Sequence, residues 1–297
     1  MSVTLAAQLI TFPVCIYYFH QFPNLFLFTN LLAVPLSTVI LYAELLLVVF
    51  AAITPLAALL GKIVYWLIYL MNYIVEKANG LPFSVIDKIY SNLYSTWILY
   101  ALVFAFCGWL LYKQRKQLRI AILLVLAFAG IMTYAALERN RQQKIIIYNI
   151  NRYRAIDFVY KDKYFFEGDS ILLQDALPRN FYLKPARISM QLGETKQRFH
   201  HLQRNGAVYR FAGKTLLMAD NEFIPDSATA KLKVDILLIS KNPKFSITAV
   251  AGHVEPSVIV FDASNPLWKI AEWKRECEGL HLQYHSVPEQ GAFVLDL

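Results

Sequence analysis

Apolar positions dominate the chain up to about residue 137, and no Asp, Glu, Lys or Arg precedes Glu44. An uncharged run of that length has no use in a soluble domain and suits a bilayer. The pattern predicts a first span over Val3–Phe19, with Pro13 inside it, then a turn at Phe22-Pro23-Asn24. A second apolar stretch, Leu25–Phe50, is interrupted near Pro35 and reads as one kinked helix or as a half-helix followed by a full one. Thr54-Pro55 opens a third helix, about Pro55–Lys77, and Asn79-Gly80-Leu81-Pro82 closes it. Thirteen uncharged residues separate Lys62 from Glu76. A span needs roughly 20, so this helix is expected to be interfacial or re-entrant. Two clear spans follow, Ser91–Tyr112 and Ile120–Leu137.

From Lys144 the pattern changes to short apolar runs with period-2 character. Ile145–Tyr148, Ala155–Val159 and Tyr164–Phe166 read as strands. Ala207–Phe211 and Thr215–Met218 flank Ala212-Gly213 as a hairpin. Val234–Ile239 is a continuous buried strand, followed by a short helix around Ile247–Val254 and the strand Ser257–Phe261. Ser264-Asn265-Pro266 starts a helix over Leu267–Glu278, and strands at His281–His285 and Gly291–Leu295 complete the pattern. Strands alternating with helices, plus hairpins, predict an α/β layered domain. The expected fold class is therefore a multi-pass α-helical membrane domain over residues 1–139, followed by an α/β soluble domain over residues 140–297.

Composition agrees with this division. Hydrophobic residues make up 57% of the chain and charged residues only 17%, against roughly 25% charge in ordinary soluble proteins. The N-terminus has no basic region before its apolar run, so no cleavable signal is expected. Cys15, Cys107 and Cys277 form no CxxC and no disulfide framework, which leaves structural thiols as the simpler reading. Lys113, Arg115, Lys116 and Arg119 lie between the last two spans and place that loop in the cytoplasm. The last helix then exits on the far side, against the opposing vote of Arg139, Arg141 and Lys144.

Candidate chemistry is sparse. Glu44 is an ionisable group inside a membrane segment: either a functional residue or one lying near an interface or touching another helix. Tyr65, Tyr69 and Tyr73 recur every four residues beside Trp66. They form a track on which unpaired bases could stack, or an aromatic belt at the headgroups. No GxxxxGK[ST] or GxSxG is present, so no ATP-driven motor is encoded here and no catalytic residue is expected. His200-His201 reads as a solvated pair. The net charge of +8 favours polyanions. Cations gather after residue 138, among them Arg139, Arg141, Arg152, Arg154, Arg179, Lys184, Arg187, Lys196, Arg198 and Arg204. They suit a DNA backbone, anionic lipid or plain solvent equally.

The run AAQLITFPVCIYYFHQFPNLFLFTNLLAVPLSTVILY carries polar residues and prolines at set places in an apolar background. At Gln8, Thr11, Pro13, Phe19, His20, Phe22, Asn30, Leu31, Pro35 and Leu41 it resembles the competence region of the ComEC-type DNA internalisation proteins, bacterial inner-membrane proteins. The resemblance is strongest in the first fifty residues and weaker beyond them. Longer members begin upstream with a small soluble domain and further helices, so a shortened or split product, or a separately supplied first half, is implied. The resemblance implies a conduit for single-stranded DNA bound without sequence preference, with Gln8, Thr11, Asn30, Glu44, Tyr65, Tyr69 and Tyr73 as candidate path residues. It also implies a cytoplasmic motor encoded elsewhere, and an extracytoplasmic domain similar to a shrunken metallo-β-lactamase fold. Active members of that fold hold two metals on an HxHxDH run. Here no histidine lies between His20 and His200, Asn149–Arg154 stands where small residues and a carboxylate would, and Ser240-Lys241-Asn242-Pro243 replaces the later histidines. Asp220 alone is left as the late metal aspartate. A catalytically dead domain without metal or cofactor is expected. The alternatives are a membrane-anchored, metal-dependent DNA hydrolase and a non-functional remnant. Four or five membrane segments are too few to enclose a channel, so a missing N-terminal half or a homo-oligomer is implied.

Overall fold

The computed structural model describes residues 2–174, 176–193, 199, 201–220 and 231–297, which fall into two compact units, Met1–Met132 and Thr133–Leu297.

The first unit is helical: α1 (Ser2–Phe19), α2 (Phe26–Val49), α3 (Thr54–Asn79), α4 (Leu93–Tyr112) and α5 (Arg115–Arg139). The last four have 24, 26, 20 and 25 residues. At 1.5 Å per residue they are about 30 to 39 Å long, enough to cross a hydrocarbon core of about 30 Å. Each is long and apolar enough to span, and few of its residues are fully buried. Pro35 removes one backbone donor from α2 without breaking it, while the hydroxyls of Ser37 and Thr38 both donate to the Val34 carbonyl. At the start of α4, Asn92 Oδ1 accepts from Ser95 N–H at 2.8 Å and Ser95 Oγ accepts from Asn92 N–H at 2.9 Å. This reciprocal cap satisfies two orphan donors at once. A two-residue ribbon pairs β1 (Phe22–Pro23) with β2 (Val85–Ile86).

The second unit stacks two sheets between two helical layers. Strands β3 (Gln143–Ile147), β4 (Ala155–Tyr160), β5 (Lys163–Gly168) and β12 (Phe293–Asp296) form an antiparallel sheet in the order β12-β3-β4-β5. Strands β6 (Leu202–Asn205), β7 (Val208–Phe211), β8 (Lys214–Ala219), β9 (Leu232–Ile239), β10 (Val254–Phe261) and β11 (Tyr284–Ser286) form the other, and β8 to β11 run parallel. Period 2 sorts the side chains. Ile145, Ile147, Ile156 and Phe158 face Leu216, Met218, Ile236 and Leu238 between the sheets. Leu217, Leu237, Ile239 and Phe261 turn the other way, against α9 (Ile247–Ala251) and α10 (Leu267–Gly279). On the outer face of the smaller sheet, Ile146 and Val159 pack on Leu172 and Leu183. Those two residues come from a helical run comprising α6 (Ile171–Gln174), α7 (Ala176–Pro178), the π-turn Arg179–Leu183 and α8 (Lys184–Ser189). A last turn, α11 (Val287–Gln290), precedes β12.

Several sequence expectations change. The third helix is uninterrupted and long enough to span, because the cut at Lys62 and Glu76 counts charges that a 26-residue helix carries within its length. The first helix, Ser2–Phe19, agrees with the expected span over Val3–Phe19 and carries Pro13 inside it. The stretch around Pro35 is one helix. Phe22-Pro23 pairs as a strand rather than forming an isolated turn. Arg115, Lys116 and Arg119 belong to the first turns of α5, so the loop before it shrinks to Lys113-Gln114. The four helical segments of residues 171–189 and strand β6 were not anticipated.

One ion pair fastens the outer helical layer to its sheet. Asp157 on β4 is fully buried and accepts from Arg187 Nε at 2.8 Å and Nη2 at 2.9 Å, while Tyr148 Oη donates to it at 2.8 Å. The guanidinium also lies 4.1 Å from the centre of the Tyr164 ring. Burial pushes Asp157 towards its neutral form and Arg187 pulls it back; the two-pronged bond decides for the ionised pair. Removing one partner strands a buried charge. Asp157→Ala or Arg187→Ala is therefore expected to lower stability by about 3–5 kcal/mol, while the paired change Asp157→Leu/Arg187→Met costs far less. Chemical denaturation of the full chain in detergent checks both.

Candidate functional site

In α/β sheets, ligand chemistry gathers beyond the carboxyl ends of parallel strands. Here Ala219, Ile239, Phe261 and Ser286 are in register on β8, β9, β10 and β11. One residue further on, Asp220, Ser240 and Asp262 stand side by side, held by Ser240 N–H to Ala219 O and Asp262 N–H to Ile239 O. The smaller sheet adds Arg154 and Asp169 from the ends of β4 and β5. Gly168 makes this possible, because a side chain there would run into the carbonyl of Arg154.

The row is closed by its own charges. Arg154 Nη1 donates to Asp220 at 3.0 Å, and Arg154 N–H donates to Asp169 at 2.9 Å. Lys241 Nζ reaches Asp169 at 2.7 Å. Asp262 is fully buried; its Oδ1 accepts from Ser264 and from Asn265 Nδ2. Ser240 lies near enough to favour the charged form of Asp262, yet its hydroxyl does not reach hydrogen-bonding geometry. Among the described residues, Ser240 Oγ, Asp262 Oδ2 and Arg154 Nε are buried without a partner. Burial pushes the Asp262 carboxyl up to about 6, against the pull of Ser264, Ser240 and Arg154.

A pair of metals does not fit this arrangement. The Asp220 carboxylate is engaged by a guanidinium, Asp262 is turned into its own loop, and no imidazole stands in the row. Among the described residues, no three His, Cys, Asp or Glu side chains are grouped to hold an ion. His200 lies outside the described residues, and His201 stacks on Tyr160 with ring centres 3.7 Å apart. The basic set is also partly spent: Arg187, Arg154 and Arg204 are paired with Asp157, Asp220 and Glu167. Lys196 and Arg198 lie outside the described residues.

The path candidates of the first unit are dispersed. Gln8 and Thr11 share α1, where the Thr11 hydroxyl donates to Ala7 O at 2.9 Å. Asn30 lines a cavity of about 180 Å³ with Thr29, Asn79 and Ser84 at the ribbon end of α2 and α3. His20, in the left-handed region at φ 54°, ends α1, and its Nδ1 lies 3.2 Å from the Ile89 carbonyl oxygen. Glu44 is exposed on α2. Tyr65, Tyr69 and Tyr73 are exposed on α3. Trp66 meets the first two edge-on at 5.8 and 5.6 Å, and Lys77 covers the third. No hydrogen bond joins Gln8, Asn30 and Glu44 among the described residues.

Sequence reading missed Asp262, and took Ser240 only as part of the run that replaces the later histidines. The available signal was a polar residue directly after an apolar strand, in Ile239-Ser240 and Phe261-Asp262. Ser264-Asn265 read as a helix cap, but both side chains turn back to Asp262.

The buried carboxyl yields a pH test. Its folded pKa is raised from the usual carboxylate value of about 4, so ionisation weakens the fold as pH rises through about 6. Asp262→Asn keeps the oxygen acceptor without the charge. Its stability relative to the native chain should grow by up to about 3 kcal/mol between pH 4 and pH 7. Thermal unfolding of both chains across that range checks it.

Comparison with known proteins covers nearly the whole chain. The family profile described as "Competence protein" matches residues 1–116, and the one described as "ComEC C-terminal domain" matches residues 145–297. No curated protein and no solved structure matches. With apolar helices long enough to span a membrane and a sheet-containing α/β unit after them, the chain belongs to the ComEC-type family of competence proteins.

Proposed function

We propose that the protein is a bacterial cytoplasmic-membrane component of DNA uptake, whose helical unit contributes to a conduit for single-stranded DNA. The observation that carries this reading is the pair of family matches, one over the helices and one over the α/β unit. The second unit acts as a non-catalytic guide on the extracytoplasmic side, offering exposed cations such as Arg152 and Arg179 to the DNA backbone. Its helix–sheet–sheet–helix layering supports kinship with the metallo-β-lactamase fold. The ion pairs that close its strand-end row support a role without hydrolysis. The energy for transport comes from a separate motor.

Uptake of labelled DNA is the test. In a strain deleted for its own ComEC-type protein, the chain should restore transformation, and Gln8→Ala/Asn30→Ala should return it to the empty-vector level. Failure of the unmodified chain to restore uptake would mean that it does not form the conduit by itself. Orientation has its own readout: alkaline phosphatase fused after Leu297 should be active, and an inactive fusion would place the second unit in the cytoplasm.

A further inference from the structure

The helical layer over the smaller sheet leaves an apolar strip bare. Leu172, Leu183 and Arg187 turn inward, onto the sheet and Asp157. Leu173, Leu177 and Phe181 recur every four residues along the same helical run, so they share its outward side. Leu177 is 66% exposed and Phe181 73%, and Tyr182 beside it is exposed as well. One such residue on a surface is ordinary; several lined up at helical spacing mark a contact with something apolar.

The strip lies close to the point where the second unit leaves its membrane helix. α5 ends at Arg139, and the link on to Gln142 reaches at most about 11 Å. Gln142 is bound into the edge of the unit: its Nε2 donates to Met190 O at 2.9 Å and to Lys161 O at 2.7 Å. Met190 follows directly on α8, and Phe181 precedes it by about 14 Å of helix. The same edge is basic. Lys161 and Lys163 are exposed at the tip joining β4 to β5, and Arg179 is exposed between Leu177 and Phe181. Asp162 opposes them at the tip, and Asp175 lies outside the described residues.

We propose that this strip docks the second unit on an anionic lipid surface. Leu173, Leu177 and Phe181 enter the boundary between headgroups and acyl chains, Tyr182 sits at headgroup level, and the cations meet lipid phosphates. A DNA backbone would answer the cations and gain nothing from the apolar side chains, so lipid is the better fit at Arg179. Arg152, at the opposite end of β4 from Lys161, remains available to DNA. A detached domain would hold to lipid only weakly through so few groups. Here α5 supplies the anchor, and a short link makes docking intramolecular. The inference rests on α5 spanning a membrane and is independent of DNA uptake.

The test puts the photoreactive residue p-benzoylphenylalanine in place of Phe181 in the full chain. The control carries it in place of Trp268, on α10 in the opposite helical layer. Both side chains are exposed, so the replacements leave the core intact. The chain is reconstituted into nanodiscs of equal parts phosphatidylcholine and phosphatidylglycerol, irradiated, and its adducts are identified by mass. Lipid adducts at position 181 should exceed those at position 268 by about tenfold or more, and should fall by a similar factor in phosphatidylcholine alone or with Arg179→Glu/Lys161→Glu. Equal yields at the two positions, or adducts at 181 to protein in place of lipid, would overturn the proposal. So would a yield indifferent to lipid charge, or adducts to added single-stranded DNA that displace the lipid ones.

Discussion

A polar group removed from water must find its partner inside the protein, and that requirement organises both units. In the helical unit it is met residue by residue along each backbone, with the Ser37 and Thr38 hydroxyls adding bonds to the Val34 carbonyl and a reciprocal cap opening α4. In the α/β unit it is met by two-sided sheets whose ladders pair every strand. The fully buried Asp157 is satisfied threefold, by two nitrogens of Arg187 and by Tyr148. Its consequence is architectural: the ion pair pins the layer of short helices whose Leu172 and Leu183 also pack on the sheet.

The groups that escape the requirement point to function. Asp262 keeps one oxygen without a partner at the end of β10, beside an equally unpartnered Ser240. A binding crevice would use such a place. Here Arg154, Asp220, Asp169 and Lys241 cross-link the ends of strands from both sheets instead. The row has become a clasp between layers. In the other unit Glu44 and Lys62 are exposed on α2 and α3, with no ion-pair partner among the described residues.

Much of this was legible in sequence because the physics is local. Val234–Ile239 was legible as a strand buried on both faces because Ile236–Ile239 is an apolar run with no solvent face, with Asp235 as its one polar member. The helix Leu267–Gly279 followed from its start signal and spacing. What was not legible depended on distant partners. Arg187 looked like one more basic surface residue, and only the fold brings Asp157 to it across thirty positions. The helices of residues 171–189 are too short for a periodicity to register. Of the site, Asp220 could be singled out, but its engagement by Arg154 could not, because 66 residues separate them.

The pairing of β3 with β12 has a temporal meaning. Gln143–Ile147 opens the second unit, and its neighbour on one side is Phe293–Asp296, the last strand described, with Lys144 and Asp296 joined at 2.7 Å. Contacts so far apart in sequence form late and slowly, since a long loop must be closed first. The smaller sheet therefore waits for β12 to be synthesised, while the helices have already left the ribosome. Until then Ile145 and Ile147 lack their cover on that edge, and the nascent chain carries an open sheet edge that chaperones or the membrane surface must shield.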